Sequence, residues 1–296
     1  MIYFVVVNYY SSHLIQKLIA SLPQNQDVSY QVIIVNNSPD DELILNPPLP
    51  TLAQGEEHNS IVILDAQENL GFGKACNLAL KWIYQQNSQA LVWLINPDAY
   101  LGETNSLKIA RDFFISYPEV SILGTTVYEE SGQVWFGGGN FIKEKGVITA
   151  HHFLSSESES IPYIEQPWVT GCSLLIALKN FREIPQFDPD YFLYYEDFDF
   201  CQRYQKKGHI IALTKQIRVI HQPSSITSRN QDLKIQHSIY SYLLSLEKHC
   251  NQRVLWYRFL RIFLTSLIKL PLQGQISLSK LKGIWLFWKR TRNGVS

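Results

Sequence analysis

The chain has 296 residues, 46% of them apolar and 13% aromatic, which is enough to bury a full core and excludes a largely disordered protein. Its zero formal net charge hides an asymmetry: residues 251–296 hold nine Lys or Arg and no Asp or Glu, leaving 17 basic against 26 acidic residues in the first 250. A basic, aromatic tail on an acidic body points to an anionic surface as partner, and no feature of the sequence points to nucleic acid.

In chain order, Ile2–Val7 is a continuous run of β-branched and aromatic residues, the pattern of a strand buried on both faces. The opening MIYFVVVNYY lacks a basic segment and a small-residue cleavage site, so a strand is expected there and no signal peptide. Residues 12–22 place Leu14, Ile15, Leu18, Ile19 and Leu22 at helical spacing, and Val32–Val35 repeats the strand pattern, which makes a βαβ unit. Segment 46–60 is polar and Pro-rich, and is expected as a surface loop. A third strand at Ile61–Leu64 leads through a glycine turn into a helix from about Gly73 to Gln85, and a fourth at Ala90–Ile95 stops at Asn96-Pro97-Asp98. From 120 to 220 the pattern is mixed, with a GGGN turn at 137–140 and a polar flap at 151–166. Residues 253–270 and 280–292 are aromatic, basic and predicted helical, and no uncharged run reaches the roughly 18–20 residues a spanning helix needs. Cys76, Cys172, Cys201 and Cys250 form no C-x-x-C pair, so neither a zinc site nor a disulfide framework is indicated and a reducing compartment is expected.

Four features could bear chemistry. Asp98 follows a buried strand directly, where ligands of open α/β sheets bind and where one carboxylate suffices for a hydrated Mg²⁺ or Mn²⁺; a plain strand-ending turn would use the same residues. In Tyr191-Phe-Leu-Tyr-Tyr-Glu196-Asp197-Phe-Asp199-Phe-Cys-Gln-Arg203, three carboxylates lie within four residues among aromatics. A helix starting at Glu196 would pair Asp199 with Arg203 and leave Glu196 and Asp197 free at its N-terminus, either as simple caps or as a base for an acceptor hydroxyl. His221 ends another apolar strand, Ile217–Ile220, and could ligate metal, contact phosphate or be structural. Gly71-Phe72-Gly73 matches no full phosphate-loop pattern and is taken as a tight turn. His151 and His152 have no partner in sequence and are expected in solvent.

Taken in order, VVVNYYS at 5–11, VNNS at 35–38, ENLGFGKACN at 68–77, LINPDAY at 94–100, WVTGCSLLI at 168–176, FDPDYFLYYEDFDFCQR at 187–203 and VIHQPSS at 219–225 resemble the family-two glycosyltransferases, particularly their bacterial rhamnosyltransferase-like branch. The resemblance implies an α/β GT-A fold, with a mostly parallel central sheet and flanking helices, over residues 1–225; beyond it, the composition of 226–296 predicts a basic helical region with amphipathic helices. It implies a metal-dependent inverting transfer of a sugar such as rhamnose from a dTDP-, UDP- or GDP-sugar to a glycan or lipid-linked acceptor in cell-surface polysaccharide synthesis. Asp98 stands at the surviving carboxylate of the D-x-D element with Asn96 in its first place, and His221 at a further metal or diphosphate contact. Asp197 stands at the general base with Glu196 beside it. Asn8, Tyr9, Asn36 and Asn37 stand at the nucleobase and ribose pocket, and Asn69, Gly71 and Asn77 on the same donor side. Asn36 departs from the family's Asp, so an amide oxygen would accept the imide N–H of a uracil or thymine without charge assistance.

The expected location is cytoplasmic, peripheral on the inner face of the membrane, with the 253–292 helices either in the lipid interface or packed on the catalytic domain or a second subunit of a homodimer. Two other classes compete. A sugar-phosphate nucleotidyltransferase would need a Gly-rich basic loop that VVVNYYSSH lacks, and a non-catalytic nucleotide- or sugar-binding module is disfavoured by Asp98, Glu196–Asp197 and His221.

Overall fold

The computed structural model describes residues 1–23, 28–38, 61–152, 161–222 and 231–293. The expected 46–60 loop, residues 153–160 of the expected flap, Ser224, Ser225 and the 225/226 domain boundary lie outside the described residues.

The chain opens with β1 (Ile2–Asn8), α1 (Ser12–Ser21), β2 (Tyr30–Asn36), β3 (Ile61–Asp65), α2 (Phe72–Gln86) and β4 (Leu91–Ile95). All seven residues of β1 are buried, which is why its sequence runs apolar without alternation. β1 pairs in parallel with β2 on one side and β4 on the other, and β2 pairs in parallel with β3. Spatial order 3-2-1-4 opens a crevice beyond the carboxyl ends of β1 and β4, where the chain reverses direction of winding.

There follow β5 (Ala99–Leu101), α3 (Ser106–Ser116), β6 (Val120–Glu129), β7 (Val134–Phe136), β8 (Gly139–Ile142), β9 (Val147–Ala150), β10 (Ile164–Glu165), β11 (Ser173–Ala177), α4 (Glu196–Lys206) and β12 (Ile210–His221). β11 is inserted antiparallel between β4 and β6, β12 runs parallel to β6, and β5 and β10 pair antiparallel with β12. The sheet is thus parallel on the β3 side and mixed on the other. Its core is anchored by Trp93, fully buried and stacked on Phe4 with centroids 5.1 Å apart. The indole N–H of Trp93 is not stranded, since it donates to Ser173 Oγ at 3.0 Å.

Two expectations are corrected here. Residues 161–166 are not flap: β10 joins the main sheet and Gln166 donates its N–H to Ile211 O at 2.9 Å. His151 is half-buried rather than solvated, its backbone bonding both Gly137 and Gly138 at the base of the β8–β9 hairpin, whereas His152 is exposed as expected, with Nδ1 2.7 Å from Trp135 O.

The C-terminal region is three helices, α5 (Gln231–His249), α6 (Gln252–Lys269) and α7 (Gly274–Asn293), where the sequence pattern predicts two. α5 packs on the segment before α4: Tyr191 Oη lies 3.1 Å from Ser245 Oγ, and Ser241 Oγ donates to Leu193 O at 2.8 Å. Leu243, Leu244 and Leu246 of α5 join Tyr191, Leu255 of α6 and Ile284 and Phe287 of α7 in a second apolar cluster. Among the described residues no helix is long and apolar enough to cross a membrane. All four cysteines are free, Cys250 half-buried and the other three buried.

Candidate active site

The carboxyl ends of β1 and β2 are tied together by amides. Asn8 Nδ2 donates to Asn36 Oδ1 at 3.2 Å and to Ser38 Oγ at 3.1 Å, while its Oδ1 accepts from the Ser11 N–H and hydroxyl at 3.0 and 2.9 Å. Asn37 reaches the other way, its Oδ1 accepting from Leu70 N at 2.8 Å and its Nδ2 donating to Asn69 Oδ1 at 3.0 Å. Asn69 Oδ1 also accepts the Gly71 N–H at 3.0 Å. Buried amides satisfied in this manner fix the loop geometry at the sheet edge. Tyr9 and Tyr10 stand above them, 41% and 40% exposed with ring centroids 5.0 Å apart, which leaves two aromatic faces beside the crevice.

Gly71 caps α2 with φ +78°, and a Cβ there would sit 2.1 Å from Phe192 O. Only glycine permits that approach, and it lets Phe72 N–H bond Phe192 O at 3.2 Å, docking the segment ahead of α4 against the start of α2. Asn77 does similar work further along α2: its amide clamps both the N–H and the C=O of Phe187, at 2.7 and 2.8 Å.

Asp98 and His221 are brought together by strand pairing, because β5 runs antiparallel to β12 with Ala99 opposite His221. Asp98 Oδ1 lies 3.2 Å from His221 Nε2, and both side chains are 7% exposed. Trp135 packs its ring against the His221 imidazole, centroids 4.4 Å apart. One carboxylate oxygen and one imidazole nitrogen facing a cavity suit a divalent cation that completes its shell with water and phosphate oxygens. Among the described residues no group of three or more His, Cys, Asp or Glu converges. Asn96 shares this rim, with its N–H on Cys172 O at 3.0 Å.

Glu196 and Asp197 open α4, as the motif predicts, and Arg203 Nε donates to Asp199 Oδ2 at 2.6 Å. They do not stand free in solvent, however. Glu196 is 6% exposed, and its Oε2 has no hydrogen-bond partner among the described residues. Burial first, and then the charge of Asp197, push the Glu196 carboxyl up to about 8. Burial also raises Asp197, but Asp197 Oδ2 accepts the Gly171 N–H at 3.0 Å and Oδ1 the Phe198 N–H at 2.8 Å, which oppose it. Of the two carboxyls, the charge therefore settles on Asp197, where N–H donors and the helix N-terminus solvate it, and the proton on Glu196. The backbone leading into the pair is strained: Tyr194 and Tyr195 have φ of +70° and +63° in succession, each costing of order 1–3 kcal/mol and persisting only because the surrounding structure holds it.

A cavity of about 580 Å³ connects these parts, with Asn96, Asp98, Glu196, Asp197 and His221 all on its wall. Asn8, Tyr9, Asn36, Asn37, Asn69, Gly71 and Asn77 do not line it; they build the adjoining loop edge. The wall also contains residues to which the sequence reading gave no role: Trp135, Thr170, Gly171, Trp168, Lys234 and Ser238. Gly171 lay within a quoted motif, but its use as an N–H donor to Asp197 depends on a contact 26 residues away. Lys234 and Ser238 come from α5, so the C-terminal region contributes to the cavity itself. His249, also from α5, lies 2.8 Å through its Nε2 from the carboxylate of the fully buried Asp199, two residues after Asp197.

No protein-family model matches the chain. It is 23% identical over 279 residues to the N-acetylglucosaminyl-diphospho-decaprenol L-rhamnosyltransferase of Mycobacterium tuberculosis, covering 86% of this chain and 85% of that one. Among solved structures it is similar to GalNAc-T7 with UDP, GalNAc and Mn²⁺, with a TM-score of 0.56 and 12% identity over 83% of this chain; it spans about half of that longer chain, 47%. It is also similar to the mannosyltransferase PcManGT of Pyrobaculum calidifontis in complex with GDP-Man and Mn²⁺, with a TM-score of 0.55 and 13% identity over 86% of this chain and 67% of the other. The fold is therefore GT-A, and the motif resemblance to family-two glycosyltransferases is matched by a curated relative that is itself a glycosyltransferase.

Proposed function

We propose that the protein is an inverting glycosyltransferase that moves rhamnose from a nucleoside-diphosphate donor to a lipid-linked glycan in cell-surface polysaccharide synthesis, at the cytoplasmic face of a membrane. The observation that supports this most is the shared cavity: the Asp98–His221 pair at the rim of β4 and the Asp197 carboxylate at the head of α4 face the same space. Rhamnose and a diphospholipid acceptor rest on the name of the mycobacterial relative. In this assignment residues 1–225 form the catalytic domain and 226–296 a helical region that completes the acceptor side.

The donor's base and ribose would lie against Asn8, Tyr9, Asn36, Asn37 and Asn69, with its diphosphate directed toward Asn96 and Asp98. Asp98 and His221 would hold Mg²⁺ or Mn²⁺, which supplies charge stabilisation for the departing diphosphate. Asp197, kept ionised by Gly171 and Phe198, takes the proton of the acceptor hydroxyl as that oxygen bonds the anomeric carbon. The bond from that carbon to the phosphate oxygen breaks on the opposite side, the nucleoside diphosphate leaves, and the anomeric centre is inverted. Glu196, holding its own proton, keeps a second charge away from Asp197 and can donate to the acceptor. Trp135 and Trp168 offer ring faces for sugar.

The test is thermal unfolding of the full chain with UDP, dTDP and GDP, each with and without Mn²⁺ or Mg²⁺. A ligand that binds the native state at about 100 times its Kd adds about 2.7 kcal/mol, so one nucleotide should raise Tm in a cation-dependent manner. A folded sample indifferent to all three would favour a non-catalytic or partner-dependent protein.

A further inference from the structure

The α6 helix is apolar on two opposite sides. Its inner side, with Leu255, Phe259, Ile262 and Phe263, packs into the second apolar cluster. Its outer side bears Trp256, Tyr257, Leu260, Leu264 and Ile268, between 51% and 75% exposed, which at 3.6 residues per turn fall within an arc of about 120°. Beyond it, Leu272 in the α6–α7 turn is 88% exposed, and on α7 Leu278 and Trp285, two turns apart, are 51% and 53% exposed. A bare apolar stripe of this extent marks a surface that is covered in use.

Charge decides the cover. Arg253 lies inside the arc and Arg261 at its edge, both exposed and without a salt bridge among the described residues. Since residues 251–296 contain nine basic and no acidic residues, a second copy docked through the same face would oppose like charges. An anionic lipid surface instead supplies negative charge for the Arg and Lys heads and an apolar phase for the stripe, with Trp and Tyr at the boundary. No described helix is long and apolar enough to cross that layer.

We infer that the outer face of α6, the α6–α7 turn and the Leu278–Trp285 edge of α7 form a docking surface for an anionic bilayer, on which the helices lie flat. The face adjoins the cavity wall: Arg258 Nε donates to Lys145 O at 2.8 Å and Tyr242 Oη to Gly146 O at 2.7 Å, holding the β8–β9 turn whose strand β9 lines the cavity. The inference extends the proposed use of a lipid-linked acceptor, but its basis is the helix surface alone.

The test is co-sedimentation of the full chain with vesicles of phosphatidylcholine, alone or with about one third phosphatidylglycerol, at low and high salt, alongside light scattering of the free protein. Binding is expected to the anionic vesicles only, weakening with salt. An Arg253→Gln/Arg261→Gln variant should bind about thirtyfold more weakly, and Ile268→Glu/Leu272→Glu at least about tenfold more weakly, with nucleotide binding and Tm unchanged in both. Equal sedimentation with and without anionic vesicles would overturn the inference. So would a dimer in light scattering that the Ile268→Glu/Leu272→Glu variant abolishes, which would assign the face to a second copy. Vesicle binding without nucleotide binding would sink the glycosyltransferase reading and leave this one standing; the reverse result would do the opposite.

Discussion

Replacing Glu196 by Gln should make the protein more stable at alkaline pH than at acid pH relative to the parent. The carboxyl is 6% exposed, has an unpartnered oxygen and is held up at about 8 against an ordinary value of 4.5 by burial and by Asp197. Below about pH 4.5 the group is protonated in both folded and unfolded chains and contributes no pH dependence. Between 4.5 and 8 the unfolded chain gives up this proton and the folded chain keeps it, so the parent loses about 1.4 kcal/mol of stability per pH unit from this one site. Above the folded value the loss levels off at about 5 kcal/mol as an upper bound. Glutamine is isosteric with the protonated acid and cannot ionise, so the variant escapes the loss. Any fixed cost of the amide is the same at every pH and cancels from the slope. Urea unfolding of both proteins at intervals from pH 5 to 8.5 measures the difference. Stability curves that run parallel across this range would show that Glu196 ionises as an ordinary carboxylate, and the division of proton and charge between Glu196 and Asp197 would be wrong.

Three other perturbations follow from the same geometry. Gly71→Ala combines a φ of +78° with a Cβ 2.1 Å from Phe192 O, and should lower the unfolding free energy by about 3 kcal/mol or more in urea titration while weakening nucleotide binding. His249→Ala leaves the fully buried Asp199 with Arg203 alone and should cost about 3–5 kcal/mol. Burial opposes ionisation of Asp199, but His249 and Arg203 outweigh it and hold its carboxyl below the usual value. Its stabilisation is thus present above the unfolded pKa of 3.8 and lost as pH falls through the lower folded value, so the parent should show an acid limb that His249→Ala flattens. Asp98→Asn should make nucleoside diphosphate affinity in calorimetry the same with and without Mn²⁺; a persisting cation effect would remove Asp98 from the metal site.

Much of the scaffold could be seen in residue order, because its physics is local. β1, β2 and β4 advertise themselves through unbroken apolar runs, and Asp98 and Asn96 acquire their position from the end of β4 alone. The ion pair of Asp199 with Arg203 is a matter of helical spacing. What escaped depends on distant contacts. α5 has a polar-looking sequence because its buried side uses Ser241 and Ser245, whose hydroxyls are satisfied by Leu193 O and by the Ser241 carbonyl. Its Lys234 and His249 therefore could not be connected with the cavity or with Asp199 beforehand. The burial of Glu196 and the left-handed backbone of Tyr194 and Tyr195 likewise arise from packing between α2, α4 and α5, which no motif spacing expresses.

The most direct test of the account compares the parent and Asp197→Asn proteins with dTDP-rhamnose, Mn²⁺ and a synthetic N-acetylglucosaminyl-diphospho-lipid, following both donor binding and acceptor-dependent release of dTDP. The parent should turn over, and the variant should bind donor with nearly the same affinity but release dTDP roughly 10²–10⁴-fold more slowly, the contribution of a positioned base. An Asp197→Asn protein that transfers at the parent's rate, or a folded parent that binds no nucleotide sugar, would contradict the account.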